Sequence, residues 1–207
     1  MKPVECYNVL LAQKLLEEFK KRNMEGHYCT TKEEALKKVL EIISKDSVVS
    51  CGGSATLREI GLRTALKNGG YNFLDPDDAE GGKAKDQVAH QALSADYYLM
   101  SSNAISVTGE LVNIDGYGNR AAALIFGPKN VIVIAGINKI EPNLDAAILR
   151  AKSYAAPLTM LIFKQDYDSF DDLCKAAEGA CSQLVITGFS MTKGRIKVIL
   201  VGECLGF

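Results

Sequence analysis

The stretch Ser47–Lys67, SVVSCGGSATLREIGLRTALK, decides the fold class. Ser47–Ser50 is short and rich in valine, which predicts a strand, and Gly52 and Gly53 end that strand in a loop. The apolar residues that follow recur at helical spacing and predict a helix over Ala55–Lys67. A strand, a glycine loop and a helix in this order are typical of an α/β protein with a parallel sheet.

Helical patterns lie on both sides of this unit. One helix is predicted over Glu5–Met24, where apolar residues are spaced by four, and Gly26 is expected to end it. Thr31 and the three residues after it form a capping box that opens a second helix. Further helices are predicted near Asp86–Ser94 and after Pro142.

The remaining apolar runs predict strands. Ile105–Val107 faces Leu111–Ile114 across a Thr-Gly turn, which indicates a tight antiparallel hairpin. Asn130–Ala135 has the continuous apolar character of a strand that is buried on both faces. Strands are also predicted over Tyr71–Leu74, Tyr97–Ser101, Thr159–Phe163, Leu184–Thr187 and Arg195–Val201. We therefore expect an α/β fold in which helices cover a mainly parallel sheet, with a β-hairpin insertion and an N-terminal helix.

Length and composition indicate one domain over residues 1–207, of which about residues 1–27 form an N-terminal helical extension. The net charge is −1 and there is no basic block, so nucleic acid and membrane surfaces are not expected partners. The apolar runs are far shorter than the roughly 20 residues that span a bilayer. No secretory signal is readable, so a cytoplasmic location is expected. Any ligand is expected to be small. The sequence leaves open whether the chain forms a homo-oligomer.

The glycine loop is the first candidate site. A loop between a strand and a helix N-terminus exposes backbone N–H groups that favour an anion. Gly52 and Gly53 supply that loop, and the hydroxyls of Ser54 and Thr56 could bind a phosphate or a carboxylate. The structural alternative is a tight packing turn in which Ser54 is only the helix N-cap.

Strand ends supply a second group of candidates. Ser102 and Asn103 follow a predicted strand, at the position where ligands of open α/β sheets bind. Lys139 follows the predicted buried strand and could neutralise an anionic ligand, or be a solvated surface lysine.

The run Glu110–Arg120, ELVNIDGYGNR, is dense in polar residues between glycines. Glu110 and Asp115 could act as acid, base or nucleophile. The candidate substrate-binding residues of this run are Asn113, Asn119 and Arg120. A guanidinium could hold a carboxylate by a two-pronged contact. The alternative is structural, because Asp and Asn in glycine turns commonly bind their own backbone.

No metal site is predicted. His27 and His90 are far apart in the sequence and form no paired motif. Cys174 and Cys181 are separated by seven positions, and two thiols alone hold neither zinc nor an iron–sulfur cluster.

The chain resembles the lactate-utilization (LUD) domain family. The resemblance rests on SCGGSATLREIGL (residues 50–62), on Ser101–Ile140 and on RAKSYAAP (residues 150–157), and it extends from about residue 8 to the closing GRIKVILVGECLGF. It implies a fold like that of ribose-phosphate isomerases and CoA-transferases, and a link to the oxidation of lactate to pyruvate beside iron–sulfur partners. Some family members carry a cysteine-rich segment, but here Ser182–Leu184 stands where a further cysteine would follow. No cofactor is therefore predicted, and an iron–sulfur cluster is not expected in this chain.

Three functions stay open at this point. The first is a subunit or accessory protein of lactate utilization, without a cluster, that binds a small carboxylate or phosphate. The second is a stand-alone enzyme of the CoA-transferase or sugar-phosphate isomerase type, with Glu110 or Asp115 as nucleophile or base. The third is a ligand-binding module without chemistry.

Overall fold

The computed structural model describes residues 2–207 and arranges their strands in two sheets. The strands are β1 (Glu25–Cys29), β2 (Val48–Cys51), β3 (Asn72–Leu74), β4 (Tyr97–Met100), β5 (Ala104–Ser106), β6 (Leu111–Asp115), β7 (Asn130–Gly136), β8 (Ile140–Glu141), β9 (Gln183–Thr187) and β10 (Ile196–Val201). The main sheet has the order β1-β10-β7-β4-β2-β3, and all its neighbours are parallel. The second sheet has the order β8-β5-β6-β9, and the predicted hairpin is its antiparallel β5–β6 pair. The prediction of a mainly parallel α/β fold is confirmed.

Helices cover the main sheet and carry the connections between its strands. They are α1 (Pro3–Lys21), α2 (Lys32–Ile42), α3 (Ala55–Glu59), α4 (Leu62–Asn68), α5 (Gly82–Ala92), α6 (Asn119–Phe126), α7 (Leu144–Arg150), α8 (Ala156–Phe163) and α9 (Phe170–Ala180). A π-helical turn, Ala151–Ala155, joins α7 to α8. Within residues 2–207, no helix combines the length and the apolar character needed to cross a membrane.

The main sheet is buried on both faces, and β7 lies near its centre. Val131 and Val133 pack on the side of α1, whereas Ile132 and Ile134 pack on the side of α2, α3 and α4. This alternation explains why β7 reads as a continuous apolar run. The α1 side chains in the core are Ala12, Leu15 and Phe19. The predicted N-terminal helix therefore forms part of the core that supports the sheet.

The predicted strand over Thr159–Phe163 is wrong, because this segment lies in α8. The chain runs on helically from α7 through the π-helical turn into α8, and Pro157 stands just after that turn. A short apolar run does not distinguish a strand from a helix by periodicity alone. This segment is helical because it continues the preceding helix.

Two helix boundaries also differ from prediction. The first helix ends at Lys21, and β1 follows it unpredicted. A Cβ atom on Gly26 would lie 2.6 Å from Cδ2 of Leu16, so this glycine allows α1 to pack closely on β1. The predicted helix over Ala55–Lys67 is divided into α3 and α4 at Gly61, whose φ is +70°.

Candidate functional site

Three cationic side chains converge on the short connection between β4 and β5. Lys139 donates to the Ser101 hydroxyl at 3.0 Å, and Arg120 donates to the Ser101 carbonyl at 3.2 Å. Arg150 donates to the carbonyl of Asn103 at 2.7 Å. We call Arg120, Lys139 and Arg150 the cationic triad. Its members come from α6, from the 3-10 turn after β7 and from α7, so the fold collects them from three separate segments.

Lys139 is the most buried member of the triad, with 3% of its surface exposed. Its amine donates to Thr56 Oγ1 and to Ser101 Oγ, each at 3.0 Å. Burial, followed by repulsion from the guanidinium groups of Arg150 and Arg120, lowers the pKa of Lys139 to about 7. The sequence alternative of a solvated surface lysine is therefore wrong.

Arg120 organises the two loops around it. Its Nη1 donates to Asn113 Oδ1 at 2.5 Å in addition to Ser101, and its Nη2 donates to Asn103 Oδ1 at 2.9 Å and to the carbonyl of Ile114. All four acceptors are neutral, and burial lowers the pKa of Arg120. Because Nη1 and Nη2 both donate to protein oxygens, they are not available in this arrangement for the predicted two-pronged contact with a ligand carboxylate.

Asn113 contributes a donor without a partner. Its side chain is fully buried and its Nδ2 atom makes no hydrogen bond within residues 2–207. Exchanging the amide nitrogen and oxygen would point Nδ2 at the Arg120 guanidinium, so two donors would face each other. The orientation with a free Nδ2 is thus fixed by Arg120, and this buried N–H group needs an acceptor.

The glycine loop lies against this assembly. A Cβ atom on Gly52 would lie 3.1 Å from the hydroxyl of Tyr98 and 3.3 Å from Cδ of Arg120, so the loop backbone approaches the arginine closely. Gly53 is exposed and faces open space. Ser54 is the N-cap of α3, and its Oγ accepts a backbone N–H of that helix at 3.4 Å. Ser54 therefore has the structural role of an N-cap, and Gly52 is the residue of the loop that borders the triad.

Asp115 stands at the end of β6 and caps the first turn of α6. Its Oδ1 accepts the N–H of Gly118 at 2.9 Å and its Oδ2 accepts the N–H of Ala121 at 2.8 Å. Both carboxylate oxygens are therefore used by the backbone, as the structural alternative expected.

Glu110 is not brought to the triad. It precedes β6, at the opposite end of that strand from Asp115, and its carboxylate pairs with Arg22, the residue directly after α1. It also accepts the hydroxyls of Ser106 and Thr108. Burial opposes its charge, but these hydrogen bonds and Arg22 outweigh that effect and lower the pKa of Glu110. These contacts are those of a structural ion pair, and the catalytic role stays a prediction.

Ser102 and Asn119 are the two remaining residues that the sequence predicted for the site. The Ser102 hydroxyl is buried, and its single O–H is shared between the carbonyls of Ala104 and Val112, at 2.8 and 3.0 Å, so it ties the two strands of the hairpin together. Asn119 is exposed as the first residue of α6.

Arg150 was not predicted from the sequence as a site residue. It is buried to 9% exposure and is followed directly by the π-helical turn, a distortion that often accompanies functional sites. Its Nε lies 3.4 Å from a carboxylate oxygen of Glu141. One feature of the sequence could have pointed to Arg150. It lies between Ala147 and Ala151 on the apolar stripe of α7, and a charged residue beside a buried stripe requires a partner.

The last described residues, 203–207, cover Lys139, and we call them the covering segment. A Cβ atom on Gly206 would lie 2.5 Å from Thr56 Oγ1 and 3.4 Å from Nζ of Lys139. Asn138 holds this segment by accepting the N–H of Leu205 at 3.0 Å and donating to the carbonyl of Gly206 at 3.1 Å. The amine of Lys139 is therefore closed off on this side.

The histidines and the C-terminal cysteines lie apart from the triad. His27 contacts Glu25 at 2.7 Å, and His90 is exposed on α5. Cys174 and Cys181 are free thiols on and just after α9. Within the described chain, no group of three or more His, Cys, Asp or Glu side chains is placed to hold a metal ion. The expectation on cofactors stays a prediction.

Solved structures give likenesses at low sequence identity, and no curated protein sequence matches the chain significantly. The crystal structure of a DUF162 family protein from Deinococcus radiodurans is similar with a TM-score of 0.58 and 11% identity, over 94% of this chain and 98% of that one. At this identity the likeness concerns the fold alone. The eIF2B delta structure from Chaetomium thermophilum gives a TM-score of 0.36 and 19% identity, over 56% of this chain and 52% of that one. The eIF2B-beta2-delta2 complex from the same organism gives 0.42 and 17%, over 90% and 59%. TM-scores this low do not establish a shared fold.

The family comparison covers most of the molecule. The model described as the LUD domain matches residues 12–201, a span that includes the glycine loop and the whole triad. The match also contains both sheets from β1 to β10. The chain belongs to the LUD-domain family, which is related to lactate-utilization proteins.

Proposed function

We propose that this LUD domain binds a small anionic metabolite, a carboxylate or a phosphate, at the cationic triad. We further propose that it serves the oxidation of lactate to pyruvate as a subunit or accessory protein that carries no iron–sulfur cluster. The observation that carries the binding proposal is the lack of a directly paired carboxylate at Lys139 and Arg120, where Asp115 offsets the burial of Arg120 only in part. Within residues 2–207, no carboxylate lies within 4.0 Å of Lys139 or Arg120.

Buried cations normally have a paired anion, because an unpaired buried charge is costly. Arg150 has Glu141 at 3.4 Å, but the other two members of the triad donate only to neutral oxygens. A bound carboxylate or phosphate would supply the missing negative charge. The free Nδ2 of Asn113 would offer it a further donor.

The side of the glycine loop offers an approach for such a ligand. Gly53 faces open space, and Asn103 and Ser54 are only partly buried. An anion placed here would meet backbone N–H groups of the loop and the field of Arg120 behind Gly52. The ligand is therefore expected to approach from the exposed side of the glycine loop, at Gly53.

The link to lactate utilization rests on family membership. Cys174 and Cys181 would leave an iron–sulfur cluster short of ligands, so the proposal assigns electron transfer to separate iron–sulfur oxidoreductase partners. Deleting the gene should impair growth on lactate, and the protein should co-purify with such partners. Unchanged growth together with no such partner would contradict this part.

A thermal-shift screen tests the binding proposal. The probes are lactate, pyruvate, inorganic phosphate and sugar phosphates, with propane-1,2-diol as the neutral counterpart of lactate. A ligand that binds only the native state stabilises it by about 2.7 kcal/mol at a concentration about a hundredfold above its Kd. Arg150→Gln should weaken the anion effect, whereas Arg195→Gln should not.

Arg195 is the control because it is a partly buried arginine that donates to backbone carbonyls away from the triad. Stabilisation by anions that is equal in both variants would show that they bind elsewhere. Stabilisation by none of the anions would refute the binding proposal.

A further inference from the structure

We infer that the amine of Lys139 is a nucleophile that captures a small anionic aldehyde or ketone as a Schiff base. The inference rests on the proposed function, because the remaining two members of the triad supply the recognition of the negative charge. It goes beyond that proposal by naming a carbonyl group as the second feature of the ligand.

The hydrogen-bond directions around Lys139 leave its amine one free position. The hydroxyl of Thr56 donates to the carbonyl of Leu205 at 3.4 Å, and the hydroxyl of Ser101 donates to the carbonyl of Ser102 at 3.4 Å. Each hydroxyl therefore accepts its contact with Lys139. A neutral amine has two N–H groups, both of which are used here, and its lone pair has no partner.

An ammonium group would instead have a third N–H without an acceptor inside the protein. The guanidinium groups of Arg120 and Arg150 oppose that additional charge, and Glu59 on α3 offsets them only in part. As long as no anion is bound, the neutral amine is thus the form that fits the geometry. A desolvated lysine beside other cations is the arrangement that activates this side chain as a nucleophile.

The surroundings suit the steps of imine formation. The nitrogen lone pair attacks the carbonyl carbon, a C–N bond forms, and the C=O π electrons move to oxygen. A proton passes from nitrogen to that oxygen, and Thr56 and Ser101 are placed to relay it. The hydroxyl formed in this way then leaves as water, taking the second proton from nitrogen, while the C–O bond breaks and the nitrogen electron pair forms the C=N bond of the imine. The carboxylate or phosphate of the same ligand would lie toward Arg120 and Arg150.

The covering segment controls access to this amine. Gly206 has a φ of +54°, and a Cβ there would also lie 3.0 Å from the backbone nitrogen of Thr56. Gly206→Ala is therefore both strained and crowded, and should displace the segment from Lys139. The Lys139 amine should then react faster.

Reductive trapping tests the inference. The whole protein is incubated with glyoxylate, an anionic aldehyde, and with cyanoborohydride, which delivers hydride to the imine carbon and leaves a stable secondary amine. Acetaldehyde is the neutral control, and modified lysines are mapped by peptide mass spectrometry. Lys175, whose side chain is 76% exposed, is the reference surface amine in the same sample.

At pH 7 we expect Lys139 to be labelled by glyoxylate at least about tenfold more than Lys175, because far more of its amine is neutral. Acetaldehyde should label it less, sulfate should compete, and Gly206→Ala should speed the reaction. Labelling confined to Gly206→Ala also supports the inference, since only the cover then limits access. Lys139→Met should lose the preferred label and remain folded.

The failures of the two proposals are distinguishable. If Lys139 stays unlabelled in both the wild type and Gly206→Ala while sulfate stabilises the protein, covalent capture is refuted and anion binding stands. If the aldehydes label Lys139 equally and sulfate does not compete, the amine is reactive but the anionic ligand class is wrong. If no anion stabilises the protein and Lys139 is unlabelled, both proposals fail.

Discussion

The amine of Lys139 lies 3.0 Å from the hydroxyl of Thr56, although the two residues are 83 positions apart in the chain. Thr56 belongs to the helix after the glycine loop, and Lys139 belongs to the turn after the central strand of the main sheet. The contact therefore joins the carboxyl ends of β2 and β7. The charge of Lys139 depends on the fold through its burial there and through its closeness to Arg150 and Arg120.

Lys139→Met is expected to change how stability depends on pH. The pKa of Lys139 is about 7 in the folded state and about 10.5 in an unfolded chain. Between these values the unfolded chain binds more protons, so this residue makes the free energy of unfolding rise with pH, by at most about 1.4 kcal/mol per unit. Chemical denaturation from pH 7 to pH 10 should show a shallower rise in Lys139→Met. Parallel curves for the two proteins would contradict the buried neutral amine.

Arg120→Lys is expected to cost about 3 kcal/mol of stability and most of the anion binding. A lysine cannot reach all four acceptors, so buried oxygens of Asn103 and Asn113 would lose their donor. Arg195→Lys, which loses bonds to three carbonyls elsewhere, is the control. It should lower the melting temperature but leave the affinity for anions intact. Equal loss of affinity in both variants would mean that binding follows general stability.

Glu110→Gln is expected to reduce stability and to leave anion binding unchanged. The substitution weakens the pair with Arg22, both of whose side chains are partly exposed, so the loss should be about 1 kcal/mol. Because the folded pKa of Glu110 is lowered, its contribution is present at neutral pH and disappears as pH falls through that pKa. The difference in stability between wild type and variant should shrink accordingly. A folded Glu110→Gln protein that no longer binds or turns over ligand would instead support the catalytic role suggested by its sequence.

The affinity for an anion is expected to fall as pH rises through about 7, where Lys139 loses its proton. Sulfate is the suitable probe, because its own charge does not change in this range. Calorimetric titrations at pH 6 and pH 8.5 should differ for the wild type and agree for Lys139→Met. A wild-type affinity that is independent of pH would place the anion away from this amine.

The fold was predictable wherever a local pattern determines the structure. The β2–glycine loop–α3 unit, the hairpin of β5 and β6, and the buried strand β7 all follow from residues close in sequence. Helix α8 was missed because its apolar run becomes helical only as a continuation of α7. Strand β1 was missed because Gly26 was interpreted as the end of the first helix. In the structure it lies within β1 and lets α1 pack closely on that strand.

The candidate site was predictable in part, wherever its residues follow from a local pattern. The strand ends identified Asn103 and Lys139, the polar run Glu110–Arg120 identified Asn113 and Arg120, and the structure brings these four together. Their roles depend on partners far away in the chain, so the burial of Lys139 and the occupied guanidinium of Arg120 could not be read from spacing. Glu110 shows the converse, because a polar residue five positions before Asp115 lies at the other end of a strand and meets α1.

The ionisation of Lys139 with and without an anion tests the account most directly. In protein carrying ¹³C-lysine, the ε-methylene signal of Lys139 can be identified by its absence in Lys139→Met and followed as pH is raised. The account predicts a midpoint near 7 that moves upward when sulfate is added, since an anion that favours the ammonium form must raise its pKa. A midpoint near 10.5 that sulfate leaves unchanged would contradict it.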